Sequence, residues 1–411
     1  MDVLSIEDLN VDGKKVLMRV DFNVPLDEQG NITEDTRIQA ALPSIRYVLE
    51  KGGALILMSH LGRPKGKKSP EMSLSPCARY LSKILKKPVQ IAPDCIGNET
   101  KLLASHLKKG EILLLENLRF HEAEEHPEKD PQFAVKLAEL GDLYVNDAFG
   151  TSHRPHSSIV GVAKQFPGKA AAGYLLKKEI DYLGKTFSQP KRPFCALIGG
   201  AKISTKIGVL ESLIEKVDTL MVGGGMVYTF FKAQGIPIGD SIYEEQCIDV
   251  ARSILKHAQE KQIKLLLSED VMVADAFQNQ AKTKVVEKHQ GIPNGYQGMD
   301  IGPKTVELFS KELKKAKTIF WNGPVGVFEM SNFAKGTKAI AKTLESIDAT
   351  IVVGGGDSIA ALRTMGLTDA VTHISTGGGA SLEYIEKGTL PGIEALSKDT
   401  ERYKNGGKAS R

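Results

Sequence analysis

A chain of 411 residues is too long for one hydrophobic core and fits two domains of ordinary size. An apolar content of 41% with 25% charged residues is that of a soluble globular protein, which excludes a largely disordered chain. A formal charge of +4 is small for this length and argues against a dedicated nucleic-acid binder.

The N-terminus "MDVLSIEDLNVDGKK" has neither the basic nor the apolar region of a secretory signal. No run of about 18 apolar residues offers a membrane span. Cys77, Cys95, Cys195 and Cys247 form no CxxC pair, so a disulfide framework and a zinc site are both unexpected. A reducing, cytoplasmic location is expected.

In chain order, short apolar runs recur: "KVLMRVDF", "ALILMSH", "ILLLEN", "LYVNDAF", then "FCALIGG", "TLMVGGG", "KLLLSED", "TIFWNG", "TIVVGGG" and "VTHISTGG". Continuous rather than alternating hydrophobicity marks strands buried on both faces, hence parallel sheets covered by helices and an α/β fold. Intervening segments such as "TRIQAALPSIRYVLEKGG" place apolar residues at helical spacing and end in glycine. The segment "YLLKKEIDYLGKTFSQPKRPF" reads as an amphipathic helix followed by a proline-marked entry to a second domain. The expected organisation is a first domain over 1–170, an interdomain helix over 171–187 and a second domain over 188–394, each a Rossmann-like three-layer sandwich. A polar tail over about 395–411 is expected to return to the first domain.

Ligands of open parallel sheets bind beyond the carboxyl ends of the strands, so the residues ending each run carry the functional signal. First-half runs end in polar side chains: Arg19, Asp21 and Asn23; His60 and Arg63; Asn117 and Arg119; Asn146 and Asp147, with His153 and Arg154 behind. Second-half runs end mostly in glycine: Gly199 and Gly200, Gly223 to Gly225, Gly323, Gly354 to Gly356, Gly377 to Gly379.

Bare backbone at a strand-to-helix junction lets N–H groups and the helix dipole meet phosphate oxygens. Neither GxGxxG nor a P-loop is present, since "GRPKGKKS" puts three residues between its glycines, and this counts against a dinucleotide-binding dehydrogenase and a P-loop NTPase. Asp357 reads either as an N-cap or as a carboxylate on Mg²⁺, because a phosphate beside it demands a cation between them. Lys202 and Lys206, four apart, are expected on one helix face at a cradle mouth, and Glu329 in "WNGPVGVFE" near a ribose hydroxyl.

Arg19, Arg37, Arg63, Arg119 and Arg154 at one mouth would repel one another unless a polyanion binds, although any one of them could instead pair with an acid such as Asp21 or Asp147. A polyanion site on one domain and a Mg-nucleotide site on the other describe a phosphotransferase. The rival is a two-domain protein that binds a phosphorylated metabolite without chemistry. A nucleic-acid role is disfavoured, because aromatic residues do not interleave with the arginines.

The motifs "RVDFNVP", "SHLGRP", "LLENLRF", "VNDAFGTSHR", "IGGAKISTK", "VGGGM", "WNGPVGVFE", "GGGDS" and "STGGGASLE", in this order over essentially the whole chain, closely resemble the phosphoglycerate kinase family. The resemblance implies a usually monomeric enzyme that moves the acyl phosphate of 1,3-bisphosphoglycerate to MgADP, giving 3-phosphoglycerate and ATP; from the sequence itself no membrane or nucleic-acid partner is expected. It implies that Asp21, Asn23, Arg37, His60, Arg63, Arg119 and Arg154 bind the glycerate, with Arg37 also reaching the migrating group. Lys202, Lys206, Gly200, Gly224, Gly225, Asn322, Glu329, Gly355, Gly356, Asp357 and Ser358 are implied for the nucleotide. Asp357 is implied for Mg²⁺, and Lys206, Gly378 and Gly379 for the phosphoryl group in flight. Ser358 stands where Thr is commoner, Pro155 where Ala is, and "FEMSNF" is a less common variant.

Overall fold

In the computed structural model, which describes residues 3–397, the chain divides into two compact units. One holds the residues up to Asp181 together with those from Thr389, and the other is Tyr182–Gly388. The division falls inside the helix Tyr174–Ser188. Ser397 forms an antiparallel bridge with Val3; the rest of the expected tail lies outside the described residues.

The first unit carries six parallel strands, β1 (Lys15–Arg19), β2 (Ala54–Met58), β3 (Val89–Ile91), β4 (Ile112–Leu114), β5 (Leu143–Asn146) and β6 (Ala170–Ala172), in the order β3-β4-β2-β1-β5-β6. The four central strands are the continuous apolar runs, buried almost throughout, as layers of helix on both faces require. Both edge strands escaped the sequence reading. β3 is short and half exposed, and β6 is three alanines, a residue depleted in strands. The helix Thr36–Glu50 follows β1 and stops at Gly52, whose φ of +81° no side chain adopts comfortably.

In the second unit nine strands follow: β7 (Phe194–Ile198), β8 (Thr219–Val222), β9 (Lys264–Leu266), β10 (Asp270–Ala274), β11 (Thr283–Glu287), β12 (Gln297–Ile301), β13 (Thr318–Asn322), β14 (Thr350–Gly354) and β15 (His373–Ser375). Six form a parallel sheet in the order β15-β14-β13-β7-β8-β9. The chain winds to one side through β8 and β9, then returns on the other side of β7 as β13, so the switch point lies between β7 and β13. The remaining three make an antiparallel sheet in the order β11-β10-β12, an addition that the reading of parallel sheets alone did not foresee. Its strands carry exposed polar positions and lack the unbroken apolar signature.

One expectation fails in the core. Arg19 is not at the mouth but fully buried, where Nε donates to Ser158 Oγ at 2.8 Å and Nη2 lies 3.9 Å from the equally buried Glu124. Glu124 in turn accepts from Ser158 Oγ at 2.6 Å and Ser158 N at 2.9 Å. The last residue of β1 points into the packed layer below the edge, which only the pleat decides. Glu124→Ala, which would strand the Arg19 charge in the core, is expected to cost about 3–5 kcal/mol, whereas the double change Arg19→Met with Glu124→Leu recovers most of that loss. Denaturant midpoints of the full-length variants check both outcomes.

Candidate functional site

Parallel register brings the ends of the first unit's strands together: Arg19 is opposite Met58 on β2 and Asn146 on β5. Beyond that line Asp21 Oδ2 accepts from Arg37 at 2.7 Å and Oδ1 accepts from Asn23 N at 3.1 Å. Asn23 Oδ1 accepts from Gly62 N at 2.9 Å, and Gly62 O accepts from Arg119 Nη1 at 2.8 Å. One chain of bonds therefore links Arg37, Asp21, Asn23, the loop after β2 and Arg119. Asn117 holds that loop to Arg119, donating to Leu61 O at 2.7 Å and accepting from Arg119 N at 3.1 Å.

Burial and the nearby Arg19 and Arg119 hold His60 well below the ordinary histidine range. Its Nδ1 lies 3.2 Å from Arg19 Nη2, which can only donate, so the proton of the neutral ring sits on Nε2. The same forces, led by burial, take His156 down to about 3, with Arg154 among the charges acting on it. The 3.8 Å approach of His156 to Glu124 is therefore no ion pair near neutrality. Burial lowers Arg119 as well, with Glu125 at 3.1 Å opposing it and Arg63 adding to it. Arg37, Arg63, Arg119 and Arg154 thus act on one cluster. Arg63 and Arg154 are exposed, and the buried Arg119 Nε has no hydrogen-bond partner among the described residues. Among the described residues Asp147 pairs with no arginine; its Oδ1 accepts from Leu176 N at 3.1 Å in the first turn of the helix Tyr174–Ser188, and burial raises its carboxyl to about 7.

The glycines of the second unit serve two purposes. A Cβ on Gly199 would lie 2.1 Å from Pro324 O, and one on Gly224 2.7 Å from Gly200 N, so these residues let the loops after β7, β8 and β13 pack backbone to backbone at the switch point. Gly355 likewise sits against the Asn322 amide, and Gly225 against Ile242. Gly200, Gly356, Gly378 and Gly379 instead face open space. Gly356 and Gly379 begin the nine-residue helices Gly356–Thr364 and Gly379–Lys387, which follow the adjacent strands β14 and β15. Two helix N-termini with bare backbone accordingly stand side by side.

Around them Asn322 Nδ2 is buried without a hydrogen-bond partner among the described residues, while Asn322 Oδ1 accepts from Lys206 Nζ. Burial lowers Lys206, and Asp357 opposes that effect. Lys202 and Lys206 do not share a helix face: the helix starts at Ile207, with Lys206 as its N-cap and Lys202 exposed in the preceding turns. Glu244 imposes this by accepting from Ser204 N at 2.9 Å and Ser204 Oγ at 2.6 Å, which draws the chain out of helical geometry. Asp357 is exposed in the first turn of its helix, and no side chain caps that helix, so the N-cap reading falls. Ser358 is fully buried and its Oγ accepts from Gly323 N at 2.6 Å, fastening the loop after β13.

A pocket of about 450 Å³ runs from Gly200, Gly224 and Asp357 past Glu329 to residues no motif had flagged: Ile242, Phe277, Gln297 and Met299. They come from or near the antiparallel sheet; Ile242, Phe277 and Met299 carried only the signal of large apolar residues in otherwise polar stretches, and Gln297 carried none. Among the described residues one group of metal-ligand types lies elsewhere, Asp94, Cys95 and His121. It is internally satisfied: Asp94 bonds His121 at 2.6 Å and Lys68 at 3.0 Å, and Cys95 Sγ donates to Glu116 O at 3.0 Å.

Two parallel α/β units, one edge rich in guanidinium groups and the other in open backbone donors with an apolar slot, define the class of two-domain phosphotransferases. Residues 6–388 match the family described as Phosphoglycerate kinase, to which the chain belongs. It is 54% identical over 400 residues to the phosphoglycerate kinase of Chlorobium phaeobacteroides, covering 97% of this chain and 100% of that one. The phosphoglycerate kinase of Koribacter versatilis is 53% identical over 404 residues, with 97% and 100% covered. The solved phosphoglycerate kinase of Coxiella burnetii superposes with a TM-score of 0.87 at 41% identity, with 98% and 100% covered. The Pyrococcus horikoshii enzyme gives 0.82 at 33%, with 97% and 100% covered. The chain is thus a phosphotransferase acting on a carboxyl acceptor, and the non-catalytic binding protein is not favoured.

A histidine that folds neutral leaves the unfolded chain to take up the extra proton below pH 6.5, so stability falls as the pH drops from there towards 3. The expected result is a declining melting midpoint across that window, flattened in His156→Gln. Parallel declines in the two proteins would contradict it.

Proposed function

We propose that the first unit holds 3-phosphoglycerate or 1,3-bisphosphoglycerate and the second holds the nucleotide, with direct in-line transfer when a closing motion aligns the two ligands. The observation that carries this assignment is the pair of buried unpartnered donors, Arg119 Nε beside the guanidinium cluster and Asn322 Nδ2 beside the two helix N-termini. Each is a buried donor that an anion would satisfy.

Arg63, Arg119 and Arg154 bind the substrate phosphate, His60 donates from Nε2, and Asp21 and Asn23 accept from or orient the glycerate. Arg37, held on Asp21, reaches towards the migrating group. Gly200, Gly224 and Gly225 border the nucleoside, Glu329 receives the ribose, and Lys202 with Gly355 and Gly356 receives phosphates. Ser358 acts by fixing the loop after β13.

In the direction of ATP consumption, a carboxylate oxygen of 3-phosphoglycerate attacks the γ-phosphorus while the bond from that phosphorus to the β-bridging oxygen breaks, leaving ADP. The nucleophile is already ionised, so no general base is needed. Positive charge and oriented N–H groups on the equatorial oxygens supply the catalysis, from Lys206, Gly378 and Gly379. Asp357, an exposed carboxylate beside the open helix starts, suits Mg²⁺, which would neutralise phosphate charge. A monomeric cytoplasmic enzyme without membrane or nucleic-acid partners completes the reading, and no described helix is long and apolar enough to cross a membrane.

The test is a coupled assay with 3-phosphoglycerate, ATP and Mg²⁺, in which turnover is expected and EDTA abolishes it. Lys206→Ala is expected to lower kcat by roughly 10²- to 10³-fold with little change in nucleotide binding, as loss of one transition-state donor does. Equal losses in both would remove that role. Arg63→Ala is expected to raise KM for 3-phosphoglycerate chiefly; a collapse of ADP affinity measured by calorimetry would overturn the division of ligands between the units.

A further inference from the structure

The nucleotide pocket has two ends of different origin. Gly200, Gly224 and Asp357 stand at strand and helix ends of the parallel sheet, whereas Gln297 and Met299 belong to β12 of the antiparallel sheet and Phe277 follows β10. Phosphates seek the first end, so the base takes the second. There Ile242 and Phe277 are 53% and 61% exposed, large apolar side chains left open on the lining of the pocket. Phe277 offers a face or an edge to any purine and so selects for none.

Gln297 differs. Its backbone is paired with Ala274 of β10, and the next residue is pinned by Gly298 N donating to Ser241 Oγ at 2.9 Å. A bulge between Met272 and Val273 leaves Met299 as the extra residue of β12, and bulges re-aim the side chains around them. The Gln297 amide, on this rigid support, makes no hydrogen bond among the described residues and lines the pocket. Tyr228, the other polar side chain on that wall, has its hydroxyl pressed against Gly298, 1.8 Å from where a Cβ would sit.

Resting on the reading that the base lies at this end, we propose that Gln297 is the residue that recognises the substituent at position six of the purine. A carboxamide carries an acceptor and two donors on one planar group and can turn over. Its oxygen accepts from the amino group of adenine, and its nitrogen donates to the oxo group of hypoxanthine. A purine with hydrogen at position six leaves the amide buried against the ring without a partner, which costs a net hydrogen bond.

The experiment measures steady-state KM of the full-length protein for ATP, ITP and purine riboside 5′-triphosphate, with saturating 3-phosphoglycerate and Mg²⁺. In the wild type, KM for the unsubstituted purine is expected to lie roughly 3- to 10-fold above the other two, with similar kcat, as loss of one neutral hydrogen bond gives. In Gln297→Leu the three values are expected to converge on the highest. Gln297→Glu keeps only acceptors, so it is expected to retain ATP and lose ITP, a reversal that a merely structural role would not produce. Equal KM values for all three nucleotides in the wild type, or their separation persisting in Gln297→Leu, would overturn the proposal. Phe277→Ala separates this failure from that of the underlying reading. If it raises KM for all three alike, the base is placed correctly and Gln297 alone is misassigned; if neither variant moves any nucleotide KM, the base does not lie at this end.

Discussion

Parallel strands in register deliver their carboxyl ends to one edge, so the residue after each strand lands beside those after its neighbours, however distant in the chain. Arg19 of β1 and Met58 of β2 are register partners, β4 pairs with β2 in turn, and the residues that follow these three strands are tied by bonds through Asp21, Asn23, Gly62 and Arg119. In the second unit the same constraint sets the loop after β7 against that after β13 and the helix after β14 beside that after β15. Every chemical property described above is a consequence of what occupies those two edges.

Concentrating guanidinium groups on one edge creates a repulsion that the fold has to manage. It does so unevenly. Arg37 leans on Asp21, Arg119 on Glu125, and Arg19 is withdrawn into the core against Glu124. His60 and His156 give up their charge, since neutral rings add nothing to the repulsion. Arg63 and Arg154 stay in water, where screening lowers the cost. On the proposed reading a bound polyanion would relieve what remains, so affinity would come from relief of a built-in electrostatic stress as much as from new contacts.

The second edge solves the opposite problem, presenting donors without side-chain bulk. Packing glycines at the switch point let three loops approach backbone to backbone, and this close approach aligns the open glycines at the helix starts. Lys206 is drawn into partial burial there, held by Asn322 and by the field of Asp357. In the proposed role, a flexible lysine fixed in this way would lose less freedom when a phosphoryl group arrives, the preorganisation on which electrostatic catalysis depends.

The sequence by itself determined the α/β class, since unbroken apolar runs of strand length tolerate no other burial, and it determined both residue sets because strand ends are fixed by where those runs stop. It also showed Asp357 and the glycine runs, whose chemistry is local. Only the tertiary structure decided that Arg19 turns inward, that Lys202 and Lys206 lie outside the helix they precede, and which glycines pack and which stay open. Each of those outcomes depends on a partner far along the chain: Glu124, Glu244, and the loop at Pro324. The antiparallel sheet and its Gln297 were hidden for the same reason, because short strands with mixed faces acquire their meaning from the wall they are folded against.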